Sequence, residues 1–306
     1  MGLGVPDASC CGGIEAGGTR FVCATGTGAD DLRALVEFPT GRPAETIARA
    51  IGFFNDARDQ GADLQALGVG SFGPLELDPA RSDYGHISTT PKPGWQDVDL
   101  VGQLSRGTGL PVRIDTDVNA AARAERLWGA ARGLDHFLYV TVGTGIGVGA
   151  WIGGRPLHGV RHPEMGHMLL PPDPEEPAGF GGICPYHGGC AEGLASGAAL
   201  VARWGRRLEE LPEAHPAWRI EAAYLGTFLA ALALTLQPER IVIGGGVMNP
   251  ALLARVRDTL RARLAGYQRA LAAPEAVEDF LVLPGLGGRA GVLGAIAMVA
   301  VPDARG

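Results

Sequence analysis

The chain is nearly devoid of lysine. Lys92 is the only one, and every other of its 26 Lys and Arg residues is arginine. A Walker-A loop needs a lysine directly after its glycines, and Lys92 stands in "TTPKPGW", which forms no such loop. If the protein binds ATP, it does so by another route. Charge is sparse too: 19% of residues are charged, the formal net charge is -7, and no dense Lys/Arg cluster occurs. Nucleic acid and anionic membrane are therefore not expected as partners. Backbone amides hold phosphate without net positive charge, so a small phosphorylated ligand stays open. Cysteines number only five, an odd count with no small secreted framework around it, and the expected setting is reducing and cytoplasmic. The N-terminal "MGLGVPDASC" shows no basic and apolar leader pattern, and Pro6 stands where a myristoylation signal wants Ser or Thr. The most apolar run, "AAYLGTFLAALALTLQ", is too short to span a bilayer and reads as a buried helix.

What is present is an α/β pattern that runs twice. At 306 residues the chain has room for roughly two domains of about 150 residues. "CGGIEAGGTRFVCATG" reads as strand, tight turn, strand, and "LRALVEF" as a third strand. A helix over "AETIARAIGFFNDARDQ" follows, then a buried strand ending in the Gly-Pro turn of "LQALGVGSFGPLEL". Residues 75–95 read as an irregular loop. A helix around "DVDLVGQLSRGTG", the strand "PVRIDTD" and the helix "NAAARAERLWGAARG" complete the first half, with Asp117 or Asn119 near the last helix's N-cap. "HFLYVTVGTGIGVGAWIGGRPL" then repeats strand, Gly-Thr turn, strand. Helical patterns follow at 197–211, 216–236 and 250–271, with strands "RIVIGGGV" and "DFLVLPGL" and a closing apolar helix, "RAGVLGAIAMVAV". The expected architecture is two duplicated α/β domains with a cleft between them. The small domain takes 1–117 plus the C-terminal helix at about 290–306, and the large one takes 118–289.

The two Gly-Thr turns, Gly17-Gly18-Thr19 and Gly143-Thr144-Gly145, bring backbone N–H groups together with no Cβ in the way. Either alone could be an ordinary hairpin. A pair opening each half could grip a triphosphate from two sides. Asp117 ends a strand and precedes a helix, where open α/β sheets bind ligands. A carboxylate there can take the proton of a hydroxyl attacking a γ-phosphate, although Asp115, two residues back, competes for the role. "IVIGGGVMN" ends a strand in glycines. Gly245 and Gly246 would let an adenine ring approach the backbone, or they serve strand–helix packing.

Cys184, His187 and Cys190, spaced by two residues each, place two thiols and an imidazole within seven residues. His167 can supply a fourth ligand, and His162 is the alternative. Tetrahedral zinc suits two cysteines and two histidines, and with four protein ligands the metal is structural. A metal would also explain how so Gly/Pro-rich a segment stays ordered; the rival is a flexible loop with incidental Cys and His. Glu164 and Glu192 flank these ligands, either supporting the metal or binding sugar hydroxyls. Cys10 and Cys11, near a loose terminus, and Cys23, in a strand, carry no expected role.

Taken together, these residues resemble the ROK family of sugar kinases, within the actin-like, hexokinase-like ATPase fold. The likeness runs from about Gly12 to Ala300. "GIEAGGTRF" resembles the family's first phosphate motif and "TVGTGIGVG" its second, which implies phosphate contacts from Gly17, Gly18, Thr19, Arg20, Thr144 and Gly145. "DTDVNAAARAE" resembles the catalytic block and implies Asp117 as general base. "EMGH" and "GCAEG" imply sugar contacts from Glu164, His167 and Glu192, with His167 and Cys190 on the metal. Gly73, Pro74 and Asn119 join the expected sugar contacts. Glu15, Arg20 and Thr116 depart from the family's usual Asp, Lys and Asn. "CPYHGGC" replaces a three-cysteine metal loop and, with "SFGPLEL" and "YGHISTTPKPGW", is similar to the family's zinc-containing bacterial fructokinases. The resemblance implies a homodimer that phosphorylates fructose from Mg-ATP. The alternatives are a glucokinase, a mannokinase or a broader hexokinase, and, from another class, a non-catalytic sugar-binding regulator.

Overall fold

The computed structural model describes residues 10–301. The readings made on the N-terminal leader and on 302–306 lie outside the described residues. Apolar runs on either side of the first Gly-Thr turn pair as antiparallel strands, β1 (Cys10–Ala16) and β2 (Arg20–Gly28), with Ala16 opposite Phe21. The Gly17 N–H closes the turn on the Arg20 carbonyl at 2.9 Å. β3 (Asp31–Pro39) pairs with β2, and α1 (Pro43–Asp59) begins on a proline, whose missing N–H costs nothing at a helix start. β4 (Leu64–Ser71) lies parallel to β1. The expected irregular segment holds one short strand, β5 (His86–Ile87), which pairs with β6 (Val98–Asp99). Asp99 caps α2 (Leu100–Thr108) by accepting the Gly102 N–H at 2.7 Å. β7 (Val112–Thr116) then runs straight into α3 (Asp117–Trp128).

The second half repeats this plan. β8 (Phe137–Val142) and β9 (Ile146–Ile152) form the hairpin around the second Gly-Thr turn, and β10 (Arg155–Pro156) adds to its edge. After a long loop come α4 (Ala191–Ala195), α5 (Gly197–Trp204) and α6 (Pro216–Leu236). β11 (Arg240–Gly244), α7 (Pro250–Leu264), α8 (Pro274–Phe280) and β12 (Leu281–Val282) follow. One sheet is ordered β3-β2-β1-β4-β7 and the other β10-β9-β8-β11-β12. Numbered within each sheet, both read third, second, first, fourth, fifth. Both have two antiparallel pairings followed by two parallel ones.

The chain divides into two compact units at different places from those expected. The first takes residues up to Trp128, His158–His162 and Gly288 onward, and the second takes Gly129–Leu157 and Pro163–Gly287. The boundary moves past α3 because that helix packs on α9 (Ala290–Ala300), which also covers β1, β2 and β4. The fit is close: a Cβ on Gly294 would lie 1.6 Å from the Ala120 carbonyl oxygen.

Other differences have local causes. The helix expected over 197–211 stops at Trp204, where Gly205 turns left-handed at φ 72°, and a short 3-10 turn follows at Leu208–Glu210. The helix expected to 271 stops at Leu264, with Ala265 at φ 50°. Phe280 ends a helix that the sequence reading did not foresee. Cys10 and Cys11 are not loose: both are buried in β1. The apolar run belongs to the 21-residue α6, which is long and apolar enough to cross a membrane, yet 67% of its apolar window is buried in the protein. α6 is a core helix of the second unit, packed through Leu225, Phe228 and Leu232.

Substituting Gly294→Ala places a methyl against the α3 backbone. We expect a loss of about 1–3 kcal/mol or more of unfolding free energy, read as a lower urea midpoint at unchanged slope.

Candidate active site

In the first unit the decisive junction is where β7 becomes α3. Asp115 is buried at 9% exposure, and its Oδ1 accepts from the Thr116 N–H at 2.7 Å and from Asn119 Nδ2 at 2.8 Å. His158 Nε2 lies 3.2 Å from the same oxygen. Asp115 is thus committed to the fold. Asp117 opens α3 two residues later, half-buried, with Oδ1 accepting from the Val118 N–H at 2.9 Å. The capping side chain is neither Asp117 nor Asn119: Thr116 Oγ1 accepts the Asn119 N–H at 3.1 Å. Gly73 and Pro74 follow the end of β4, where the Leu75 N–H donates to His162 Nε2 at 2.9 Å. That bond commits His162 Nε2 to this turn, and His162 does not join the cluster of Cys and His ligand atoms. At the first Gly-Thr turn Gly18 and Thr19 are exposed, and Thr40 Oγ1 donates to the Gly17 carbonyl at 2.7 Å. Arg20 pairs with Glu37 across β2 and β3, 3.1 Å from its Oε1.

In the second unit Glu192 meets the second turn. Glu192 Oε2 accepts the Ile146 N–H at 3.0 Å, and a Cβ on Gly145 would come within 2.4 Å of that oxygen. A side chain after Thr144 would displace the Glu192 carboxylate from the Ile146 N–H. Burial, and then the charge of Glu192, pushes the Glu164 carboxyl up to about 7. Thr144 stands exposed at the tip of the turn. Gly245, left-handed at φ 96°, packs on the end of β8, and Gly246 beside it is open to solvent.

The long loop brings His167, Cys184, His187 and Cys190 together, with one ligand atom from each within 4.8 Å of all the others. Cys184 Sγ lies 3.7 Å from His167 Nδ1 and 3.6 Å from His187 Nδ1, and Cys190 Sγ lies 3.5 Å from His167 Nδ1. A tetrahedral zinc with bonds of about 2.3 Å to sulfur and about 2.05 Å to nitrogen holds each such pair about 3.6 Å apart. The residues fit that metal. Burial pushes the Cys190 thiol up to about 11, and a divalent cation bound here would supply the reason for it to ionise. The loop doubles back tightly: a Cβ on Gly193 would lie 1.9 Å from the Gly188 carbonyl oxygen. Cys190 caps α4, its sulfur accepting the Gly193 N–H at 3.4 Å, so the Cys/His cluster abuts the helix that carries Glu192.

Sequence reading missed a second anchor for this loop. Arg203, its side chain fully buried, pairs through Nε with Glu176 Oε1 at 2.6 Å and donates from Nη2 to the Leu194 carbonyl at 2.6 Å. Its guanidinium also stacks 4.2 Å over the Phe180 ring. Tyr224 accepts the Asp173 N–H at 2.9 Å, and Arg219 holds the Asp173 carboxylate at 2.6 Å. An arginine on the inner face of a helix pattern, facing a loop with several carboxylates, was the available signal.

The family model for the ROK family matches residues 11–301. The chain belongs to the ROK family. Among ROK relatives, a fructokinase of Zymomonas mobilis is 45% identical over 296 residues, covering 95% of this chain and 97% of its own. A solved ROK hexokinase from Thermus thermophilus is 31% identical, covers 94% of this chain and 96% of its own, and superposes with a TM-score of 0.73. A ROK glucokinase from Streptomyces griseus, solved with glucose and AMPPNP, gives 26% identity and a TM-score of 0.75, with 94% of this chain and 98% of that one covered. The fold is accordingly the actin-like ATPase fold of these ROK sugar kinases.

Two outcomes are expected here. Cys184→Ser should lower bound zinc from about one per chain towards none and reduce the melting temperature, read by metal analysis and calorimetry. For Glu164, the folded carboxyl titrates above its unfolded value, so the fold binds the extra proton. Its contribution to stability is full below the unfolded value and is lost as pH rises through about 7. Zinc with two thiolates adds no net charge and leaves that sign unchanged. Glu164→Gln should therefore flatten the fall in stability between pH 5 and 8 (roughly the span of that titration), measured by denaturation across the range.

Proposed function

We infer that this chain is an ATP-dependent fructokinase, a sugar kinase that yields fructose 6-phosphate and ADP. The observation that carries the chemistry is the contrast at the start of α3: Asp115 is buried, with Oδ1 taken up by the Thr116 N–H and the Asn119 amide, whereas Asp117 opens the helix half-buried. Likeness to the Zymomonas fructokinase supports fructose as the acceptor.

Asp117 accepts the proton of the fructose 6-hydroxyl as that oxygen attacks the γ-phosphorus. The new P–O bond forms as the bond to the ADP oxygen breaks. In the first unit, Gly17, Gly18 and Thr19 offer backbone and hydroxyl donors to the phosphates, and Arg20 adds positive charge. Gly73, Pro74 and Asn119 contact the sugar. In the second unit, Thr144 and Gly145 offer phosphate donors, Gly245 and Gly246 accept the adenine face, and Glu164, His167 and Glu192 bind sugar hydroxyls. His167, Cys184, His187 and Cys190 would hold a structural zinc, which fixes the loop and the start of α4. ATP enters as its Mg²⁺ complex, and the magnesium supplies charge neutralisation at the phosphates. A cytoplasmic homodimer, without nucleic acid or membrane as partner, completes the reading.

The test is ADP release from Mg-ATP with fructose, glucose, mannose and N-acetylmannosamine in turn. Turnover on fructose well above the aldoses is expected. Turnover mainly on an aldose would keep the kinase and reassign the sugar, and no turnover on any would leave a sugar-binding protein. Asp117→Asn should cut kcat by about 10³-fold while the fructose Kd from calorimetry stays within about threefold. A variant with near-normal kcat would move the base elsewhere.

A further inference from the structure

The five residues His158–His162, "HGVRH", group with the first unit, although the chain on both sides groups with the second. The middle of this strap is bare: Val160 is fully exposed, and Gly159 and Arg161 are exposed. Its two ends are anchored by imidazoles. His162 is buried, accepts the Leu75 N–H, and lies so close to the Gly-Pro turn that a Cβ on Gly73 would come within 3.2 Å of its ring. His158 sits 3.2 Å from Asp115 Oδ1 and 3.2 Å from Asn119 Nδ2. The strap therefore ties together the two first-unit stretches assigned above to the sugar.

The location of the proton on His158 follows from its neighbours. Asn119 Nδ2 donates to Asp115 Oδ1 at 2.8 Å, which fixes which end of the amide faces the carboxylate. A bare Nε2 could take the second Asn119 N–H but would set its lone pair against those of the carboxylate, whereas an Nε2–H makes the stronger, charge-assisted bond to Asp115. The same partner holds the His158 ring's proton affinity above its ordinary value, with the bond to Asp115 as the largest cause. Asp115 Oδ1 thus gathers donors from Thr116, Asn119 and His158. Among the described residues, the Asn119 side-chain bonds run through Nδ2, and Oδ1 has no partner.

We propose that His158 is a positioning residue for the sugar: its Nε2–H, given to Asp115, holds that carboxylate and the Asn119 amide so that Asn119 Oδ1 faces a sugar hydroxyl. The assignment rests on the kinase reading. Removing the imidazole leaves a gap into which the amide can turn. Asp115 keeps its other two donors, so the β7–α3 junction and Asp117 stay in place. The loss therefore falls on sugar binding rather than on the phosphoryl-transfer step.

The experiment compares the unaltered chain, His158→Ala and His158→Gln with fructose and Mg-ATP. Glutamine places an N–H where Nε2 stands. For His158→Ala the fructose KM should rise about tenfold or more, with kcat within about twofold; for His158→Gln the KM should stay within about threefold of the unaltered chain. Melting temperature reads folding separately. An unchanged KM for the alanine variant overturns the proposal, as does a parallel fall in kcat with a lowered melting temperature, or a glutamine variant as impaired as the alanine one. Independently of activity, long-range proton–nitrogen NMR of the histidine rings should show His158 Nε2 protonated at pH near neutrality, and an unprotonated Nε2 overturns the assignment. Failure of the kinase reading looks different: the unaltered chain would then neither turn over nor bind any sugar.

Discussion

One carboxylate oxygen, Asp115 Oδ1, pins the junction on which the first unit's chemistry depends. It takes a backbone N–H from the residue that follows it, an amide from one turn into the helix, and an imidazole from a distant strap. A buried charge is tolerable only when its lone pairs are met, and here the donors that meet them are the groups whose positions matter. The strand–helix corner is set, the helix start is capped by Thr116, and Asp117 emerges at a fixed place. Behind this corner α9 presses on α3 with glycine at the crossing, so the whole assembly has little room to drift.

The second unit solves the same problem by different means. Its loop between β10 and α4 is too rich in Gly and Pro to build a core, so order comes from polar anchors. Two thiols and two imidazoles meet at spacings that suit a tetrahedral metal. Arg203, buried within the protein, holds the other arm of the loop through Glu176 and reaches the Leu194 carbonyl on the same helix that Cys190 caps. Glu192 therefore rides on a helix fixed from both ends, and its carboxylate packs against the second Gly-Thr turn. The sheet orders of the two units are the same, and each places its Gly-Thr hairpin between its first two strands.

Much of this was legible in the sequence, and the reasons are local. Hairpin strands alternate or run apolar around glycines, so β1, β2, β8 and β9 could be placed within a residue or two. The metal set could be read because three of its four ligands lie within seven residues, where spacing is geometry. Helix ends were less legible. After Trp204 the glycine at 205, left-handed at φ 72°, is the usual signal of a helix end, but nothing local marks the stop at Leu264, since Ala265 is an ordinary helix former that adopts φ 50° under tertiary constraint. Asp115 and Asp117 could not be ranked as bases from a strand period of two, because Asp117 is not on the strand.

The sequence by itself determined the repeated α/β plan, the exclusion of a P-loop, the Gly-Thr turns and most of the Cys/His cluster of the long loop, because each depends on residue types within one short span. Only the tertiary structure decided which aspartate is spent on the fold, that His162 serves the Gly-Pro turn rather than the metal, that His158 reaches Asp115, and that α3 belongs to the first unit. Those facts join residues tens of positions apart, and no local propensity encodes a contact made across a strap or beneath a helix from the far end of the chain.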